Sequence, residues 1–274
     1  MRRVHLAPWF WAAAGVAALF AVDLATPLSP AGWTAGAAYL LTSTALLTIG
    51  LFRRAMPHLG AANAATATRS TLVGLVTALT ATSFTQPVPA LLLAGLTVPA
   101  LLLDAVDGWL ARRTHGESEL GARFDMEVDA FLLLVLSAFV APALGWWPLA
   151  IGLMRYAFVA VGWALPWMNA RLPKRYWRKV VTAACGIALT LAASGLAPRW
   201  VAIVAVAAAL GLLVESFGRD VVWLVRSRYA AARLLDPQGA QRPLAISPSP
   251  LASSRTADAS ASRARASSGS ARGA

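Results

Sequence analysis

The sequence predicts an all-α polytopic membrane protein, and three observations carry that prediction. Apolar residues fill 58% of the 274 positions and charged residues only 13%, about half the charged share of an ordinary soluble domain. The apolar residues gather into runs close to the length that crosses a bilayer as a helix, separated by short turns bearing Pro, Gly or Trp. The basic residues then fall in alternate connections: Arg2/Arg3, Arg53/Arg54/Arg69, Arg112/Arg113/Arg123, the 171–179 cluster and the C-terminal tail, with only Arg199 breaking the pattern. That alternation is the positive-inside pattern and puts both termini in the cytoplasm.

Eight candidate spans follow in order. Val4 to Val22 becomes apolar straight after Met-Arg-Arg and lacks a clear small-x-small cleavage site, so it reads as a first transmembrane helix, not a signal peptide. Pro27 to Gly32 makes a turn before the second run, Trp33 to Phe52. A less hydrophobic stretch ends at Arg69, and an apolar helix follows from Ser70 to Phe84. Pro87 and Pro89 mark the next turn. The fourth helix runs to about Leu110, residues 113 to 120 form a loop, and the fifth helix begins near Phe124. Gly145-Trp-Trp-Pro148 is an interfacial turn. Helices over Leu149 to Trp167, Val180 to Gly195 and Trp200 to Phe217 complete the set.

The composition also excludes several classes of function. The formal charge is +12, and half of it accrues from Gly218 onward, where nine arginines meet three aspartates. In so apolar a chain this excess reports cytoplasmic loops and anionic lipid, not nucleic acid. Cys185 is alone, so no intrachain disulfide forms, and His5, His58 and His115 have no metal-ligand spacing. Residues beyond about 230 are rich in Ala, Ser, Arg and Pro without an apolar period and read as a disordered tail.

The chemistry concentrates between Asp104 and Asp129. Seven of the twelve acids lie in these 26 residues: Asp104, Asp107, Glu117, Glu119, Asp125, Glu127 and Asp129. Carboxylates at the end of a membrane helix are costly unless offset, so they mark function. Asp104 and Asp107 share one helix face at i, i+3, and Asp125 and Asp129 share another at i, i+4. Two helices joined by a short loop can aim both pairs at one point, and hard oxygen ligands in that number suit Mg2+ or Mn2+ and not zinc. Arg155 stands inside an apolar helix and must face a polar cavity or an acid. Glu127 lies between the two last aspartates and faces another way.

The spacing D-x2-D-G-x2-A-R-x8-G-x3-D-x3-D, filled by Asp104, Asp107, Gly108, Ala111, Arg112, Gly121, Asp125 and Asp129, resembles the signature of the CDP-alcohol phosphotransferases. These are integral membrane enzymes that displace CMP from a CDP-linked donor. Asn63-x-x-Thr66-x-x-Arg69 is similar to the family's P-N-x-x-T-x-x-R motif, with Ala62 in place of the proline; read as residues alone, it is a polar helix start with Arg69 snorkelling. The resemblance implies a six-helix core over about residues 53–217, two added N-terminal helices in 1–52, and a basic tail, largely disordered, over 218–274. It implies two divalent ions held by Asp104, Asp107 and Asp125 with Asp129 contributing, and Asp129 as general base on the acceptor hydroxyl. Gly108, Ala111, Arg112, Gly121, Asn63 and Thr66 would serve the nucleotide. Lys179 with Thr182 is similar to a Lys-x-x-Thr of relatives, and a cationic pocket of Arg155, Arg178 and Lys179 would suit a phosphorylated acceptor such as glycerol phosphate or inositol phosphate. Ala130 departs from relatives that carry a basic residue after the last aspartate, so the acceptor stays open. The resemblance further implies a CDP-linked lipid donor, a small alcohol acceptor, a homodimer, a role in phospholipid biosynthesis at the cell membrane and a cytoplasmic active site. Two rival readings are an intramembrane prenyltransferase and a non-enzymatic transporter or scaffold. The first wants a second aspartate-rich motif after Asp129 and the second an internal repeat; the sequence offers neither.

Overall fold

The computed structural model of the chain describes residues 7–53, 61–114, 119–169 and 176–235. Among these residues it is all-helical. The helices are α1 (Ala7–Ala25), α2 (Pro30–Arg53), α3 (Ala61–Ser83), α4 (Ala90–Thr114), α5 (Glu119–Leu144), α6 (Leu149–Ala164), α7 (Tyr176–Ser194) and α8 (Arg199–Leu235), with a 3₁₀ turn at Pro166–Asn169. The eight apolar runs thus become eight helices in the expected order. Expected features that lie outside the described residues are Arg54 and His58, the centre of the loop at 115–118, Arg171, Lys174 and Arg175, and the tail beyond 235.

The helix ends differ from the hydropathy boundaries for local reasons. α5 starts at Glu119, ahead of the expected Phe124, and α7 at Tyr176, ahead of Val180; their first turns are polar, and polarity does not prevent helix formation. α6 stops at Ala164, short of Trp167. Leu165 precedes Pro166 and adopts φ −125°, ψ 85°, because the proline ring disfavours the α region for the residue before it. α8 runs on through Leu235, well past Phe217, so the segment 218–235 is helical. The chain divides into two units, 1–224 and 225–274; the described part of the second is the helical stretch 225–235.

Within the first unit, α3 is the central element. It packs against α1, α2, α4 and α5, while α5 also contacts α6 and α7. Fully buried side chains from α3 (Val73, Val76, Leu79), α5 (Leu132, Leu136) and α7 (Val181, Leu189) meet in one core with Val206 of α8. Hydroxyls inside this core bond back to their own helices: Thr77 to the Val73 carbonyl, Thr97 to Leu93, Ser137 to Leu133 and Thr190 to Gly186. Where lipid replaces water, polar groups must be satisfied internally, and this pattern does so without a partner helix. The outer surface carries large apolar side chains, among them Leu24, Leu102, Trp163, Ile187, Leu196 and Trp200. So dense an exposed apolar surface fits lipid contact. By length and composition, Phe124–Leu144 and Arg199–Arg228 are long and apolar enough to cross a membrane, and shorter apolar helices lie at Trp9–Ala25, Ala90–Ala105 and Leu149–Ala164. The turn between α5 and α6 depends on Gly145, whose φ of 97° lies where side-chain-bearing residues are strained.

Candidate active site

Three of the expected aspartates converge. Asp104, in the second half of α4, and Asp125 and Asp129, one turn apart in the first half of α5, each bring a carboxylate oxygen within 4.8 Å of the others. Packing of both α4 and α5 against α3 makes this possible, because it brings the three carboxylates to Arg69 of α3. Asp107, Gly108, Ala111 and Arg112 continue along α4, but their side chains lie outside the described part of the structure. Gly121 sits in the first turns of α5, half-buried.

Arg69 stands at the centre of the carboxylates. Its side chain is fully buried, whereas those of Asp104, Asp125 and Asp129 are 38%, 30% and 24% exposed. Nη1 donates to Asp104 Oδ1 at 2.5 Å. Nη2 donates to Asp125 Oδ1 and to the Asp125 carbonyl oxygen, the latter at 3.2 Å, and lies 3.3 Å from Asp129 Oδ1. The planar guanidinium fork therefore ties α3 to α4 and α5 at a single point, a task that its fixed donor geometry suits. This overturns the reading of Arg69 as a snorkelling residue: it points inward. Thr66, one turn earlier on α3, is buried; Asn63 lies in the first turn of α3, with its side chain outside the described set.

The donor set fits a divalent cation. Three carboxylates converge on one guanidinium, and each keeps an accessible flank. Hard oxygen ligands gathered in this number suit Mg2+ or Mn2+.

The cationic residues expected near the acceptor are each placed differently. Arg155 of α6 pairs through Nη2 with Glu127 Oε1 of α5, so Glu127 does face away from the aspartates and supplies the acid that an intramembrane arginine needs. Arg178 of α7 donates through Nη2 to Asp220 Oδ1 of α8 at 2.8 Å, and the Asp220 side chain is only 10% exposed. Lys179 is exposed. Two residues outside the sequence-based selection belong to this region. Arg69 is one, although the Asn63/Thr66/Arg69 spacing on a single helix face was a usable signal. Tyr39 of α2 is the other: its hydroxyl accepts from Ser70 Oγ at 3.3 Å, next in sequence to Arg69. Nothing in the α2 sequence singled it out.

Comparison with known proteins gives one positive finding. No curated protein and no solved structure gives a significant match to the chain. The sequence model described as CDP-alcohol phosphatidyltransferase matches residues 59–213, more than half of the chain, and that segment holds α4, α5, all three converging aspartates and Arg69. On that match the chain, a helical integral membrane protein, belongs to the CDP-alcohol phosphatidyltransferase family.

Proposed function

We propose that this protein transfers a phosphatidyl group from a CDP-linked lipid, such as CDP-diacylglycerol, to the hydroxyl of a small alcohol and releases CMP. The observation that carries the reading is the meeting of Asp104, Asp125 and Asp129 at one point inside the family-matched segment. In the reaction the acceptor oxygen forms a bond to the lipid-bearing phosphorus. The bond from that phosphorus to the CMP oxygen breaks, CMP departs with the electron pair, and the hydroxyl proton needs an acceptor.

The residues divide this work. Asp104, Asp107, Asp125 and Asp129 would hold two Mg2+ or Mn2+ ions, which when bound neutralise the diphosphate and the charge on the departing CMP. Asp129 is the general base and takes the acceptor's proton on a carboxylate oxygen. Arg69 fixes the carboxylates in one orientation, so less reorganisation is left for the moment of reaction. Gly108, Ala111 and Gly121 let a nucleotide approach the α4 and α5 backbones, and Arg112, Asn63 and Thr66 contribute polar contacts to it. Lys179 offers the acceptor an exposed cation. Arg155 and Arg178 can join it only when an anionic acceptor competes with Glu127 and Asp220, which favours a phosphorylated polyol over a neutral one. Residues 1–52 form a two-helix addition, 53–217 the transferase core and 218–274 a basic segment. The positive-inside pattern supports an active site and both termini at the cytoplasmic face of the cell membrane.

The test is product identification. Purified protein in nanodiscs is incubated with CDP-diacylglycerol, Mg2+ and a panel of alcohols that includes glycerol phosphate, inositol phosphate, inositol and serine. The lipid product is then weighed by mass spectrometry. A lipid with a phosphorylated polyol headgroup is the expected product, and a product formed from inositol or serine instead would contradict the acceptor assignment.

A further inference from the structure

The family match begins at residue 59, so α1 and α2 lie ahead of it, yet they are built tightly into the fold. α2 lies along α3 as extensively as α4 does. The contact is close because its residues are small: a Cβ added at Gly36 would meet the Ala78 Cβ at 2.9 Å, Leu19 Cδ2 at 3.1 Å and the Gly74 carbonyl oxygen at 3.3 Å. Such small-residue seams fix membrane helices against one another. The far turn is fixed as well, since the Ser29 N–H donates to Thr82 Oγ1 at 3.2 Å and Gln86 Nε2 donates to the Pro27 carbonyl.

From this rigid support Tyr39 reaches both halves of the aspartate site. Its hydroxyl accepts from Ser70 Oγ, the residue after Arg69 on α3. Its ring stacks on Phe131, two residues after Asp129 on α5, with centroids 4.6 Å apart and planes 19° apart. We infer that Tyr39 is a positioning residue that holds Arg69 and Asp129 in register, which makes the N-terminal helix pair a working part of the site. The inference rests on the phosphotransferase reading for its kinetic consequence. Its structural consequence, a change in cation binding at the carboxylates, does not depend on that reading.

The physical expectation follows from geometry. A brace that touches the helix turns beside a base and beside a guanidinium controls where those groups point, and small misplacement of reacting groups is expensive in rate. With the cation site kept filled by saturating metal, the KM for the donor is expected to change little.

The experiment uses full-length wild type, Tyr39→Leu and Tyr39→Phe in nanodiscs. Leu keeps apolar bulk but removes the stack and the hydroxyl; Phe removes the hydroxyl alone. Three quantities are read: kcat, KM for CDP-diacylglycerol, and Mn2+ binding followed by the loss of the free-ion electron paramagnetic resonance signal. Tyr39→Leu is expected to lower kcat by about tenfold, to weaken Mn2+ binding severalfold and to leave KM within about twofold, the last because a positioning residue acts on the transition state and not on uniform binding. Recovery in Tyr39→Phe assigns the effect to the ring stack, and equal loss assigns it to the Ser70 contact; both support the brace. Wild-type kcat and Mn2+ binding in a folded Tyr39→Leu protein would overturn it. Should Tyr39→Leu not fold, Phe131→Leu removes the stack from the other side and is judged by the same readouts. Absence of CMP release from wild type with every acceptor would count against the phosphotransferase reading, while Mn2+ binding would still decide on Tyr39.

Discussion

A guanidinium without exposed surface must be neutralised inside the protein, and Arg69 meets that demand with three carboxylates from two other helices. Arg69→Ala is therefore expected to destabilise the protein by about 3 kcal/mol, the low end for breaking a buried pair, because the orphaned carboxylates keep partial solvent contact. Thermal unfolding in detergent measures this, and added Mg2+ should restore part of the loss by taking over the neutralisation. Arg69→Lys should not restore wild-type stability, since one ammonium cannot span Asp104 and Asp125 as the fork does. The aspartates were legible in the sequence because acids spaced three and four residues apart, and so dense in an apolar chain, need a shared cation to offset them. Arg69 was harder. A lone arginine at the start of an apolar helix can turn outward to headgroups or inward to an acid. Its first partner, Asp104, is 35 positions away, so nothing local decides between them.

At the scale of elements, the eight helices were legible because each apolar run exceeds what a turn can hold. Their ends were not. Hydropathy reports where lipid contact stops, whereas the helix continues as long as the residues tolerate it. α8 shows the difference, since it passes Phe217 and carries Asp220 into the pair with Arg178. That pair fastens α8 to the start of α7, beside an aromatic contact between Phe158 of α6 and Phe217 of α8 at 5.5 Å. Asp220→Ala is expected to cost about 2 kcal/mol, because it removes a charge-assisted hydrogen bond and leaves Arg178 without that acid. Thermal unfolding would register the loss, and hydrogen exchange would show it as loosening confined to the start of α7 and the facing part of α8. Uniform loosening across all helices would contradict a local fastening role.

The whole molecule is a helical membrane protein whose charges were arranged legibly from the start, since basic residues cluster in alternate connections. The proposed topology places the α5–α6 turn on the non-cytoplasmic side. Trp146 is exposed there, and Cys185, the single cysteine, is buried. Trp146→Cys should thus react with a membrane-impermeant maleimide on intact cells, while wild type stays unlabelled; labelling only after lysis would reverse the orientation. How the helix pair ahead of the family-matched segment joins the site was not legible, because stacking of Tyr39 on Phe131 needs the packed arrangement of α2, α3 and α5. The central claim is that the converging carboxylates perform metal-dependent phosphatidyl transfer. The most direct measurement is CMP release from CDP-diacylglycerol by purified wild type and Asp129→Asn, each assayed with Mg2+ and with chelator. The account predicts release by wild type that chelator abolishes and Mg2+ restores, and a loss of at least about 100-fold in Asp129→Asn with the fold retained. Release that persists with chelator and in Asp129→Asn, or a folded wild type that neither releases CMP nor binds CDP, would contradict it.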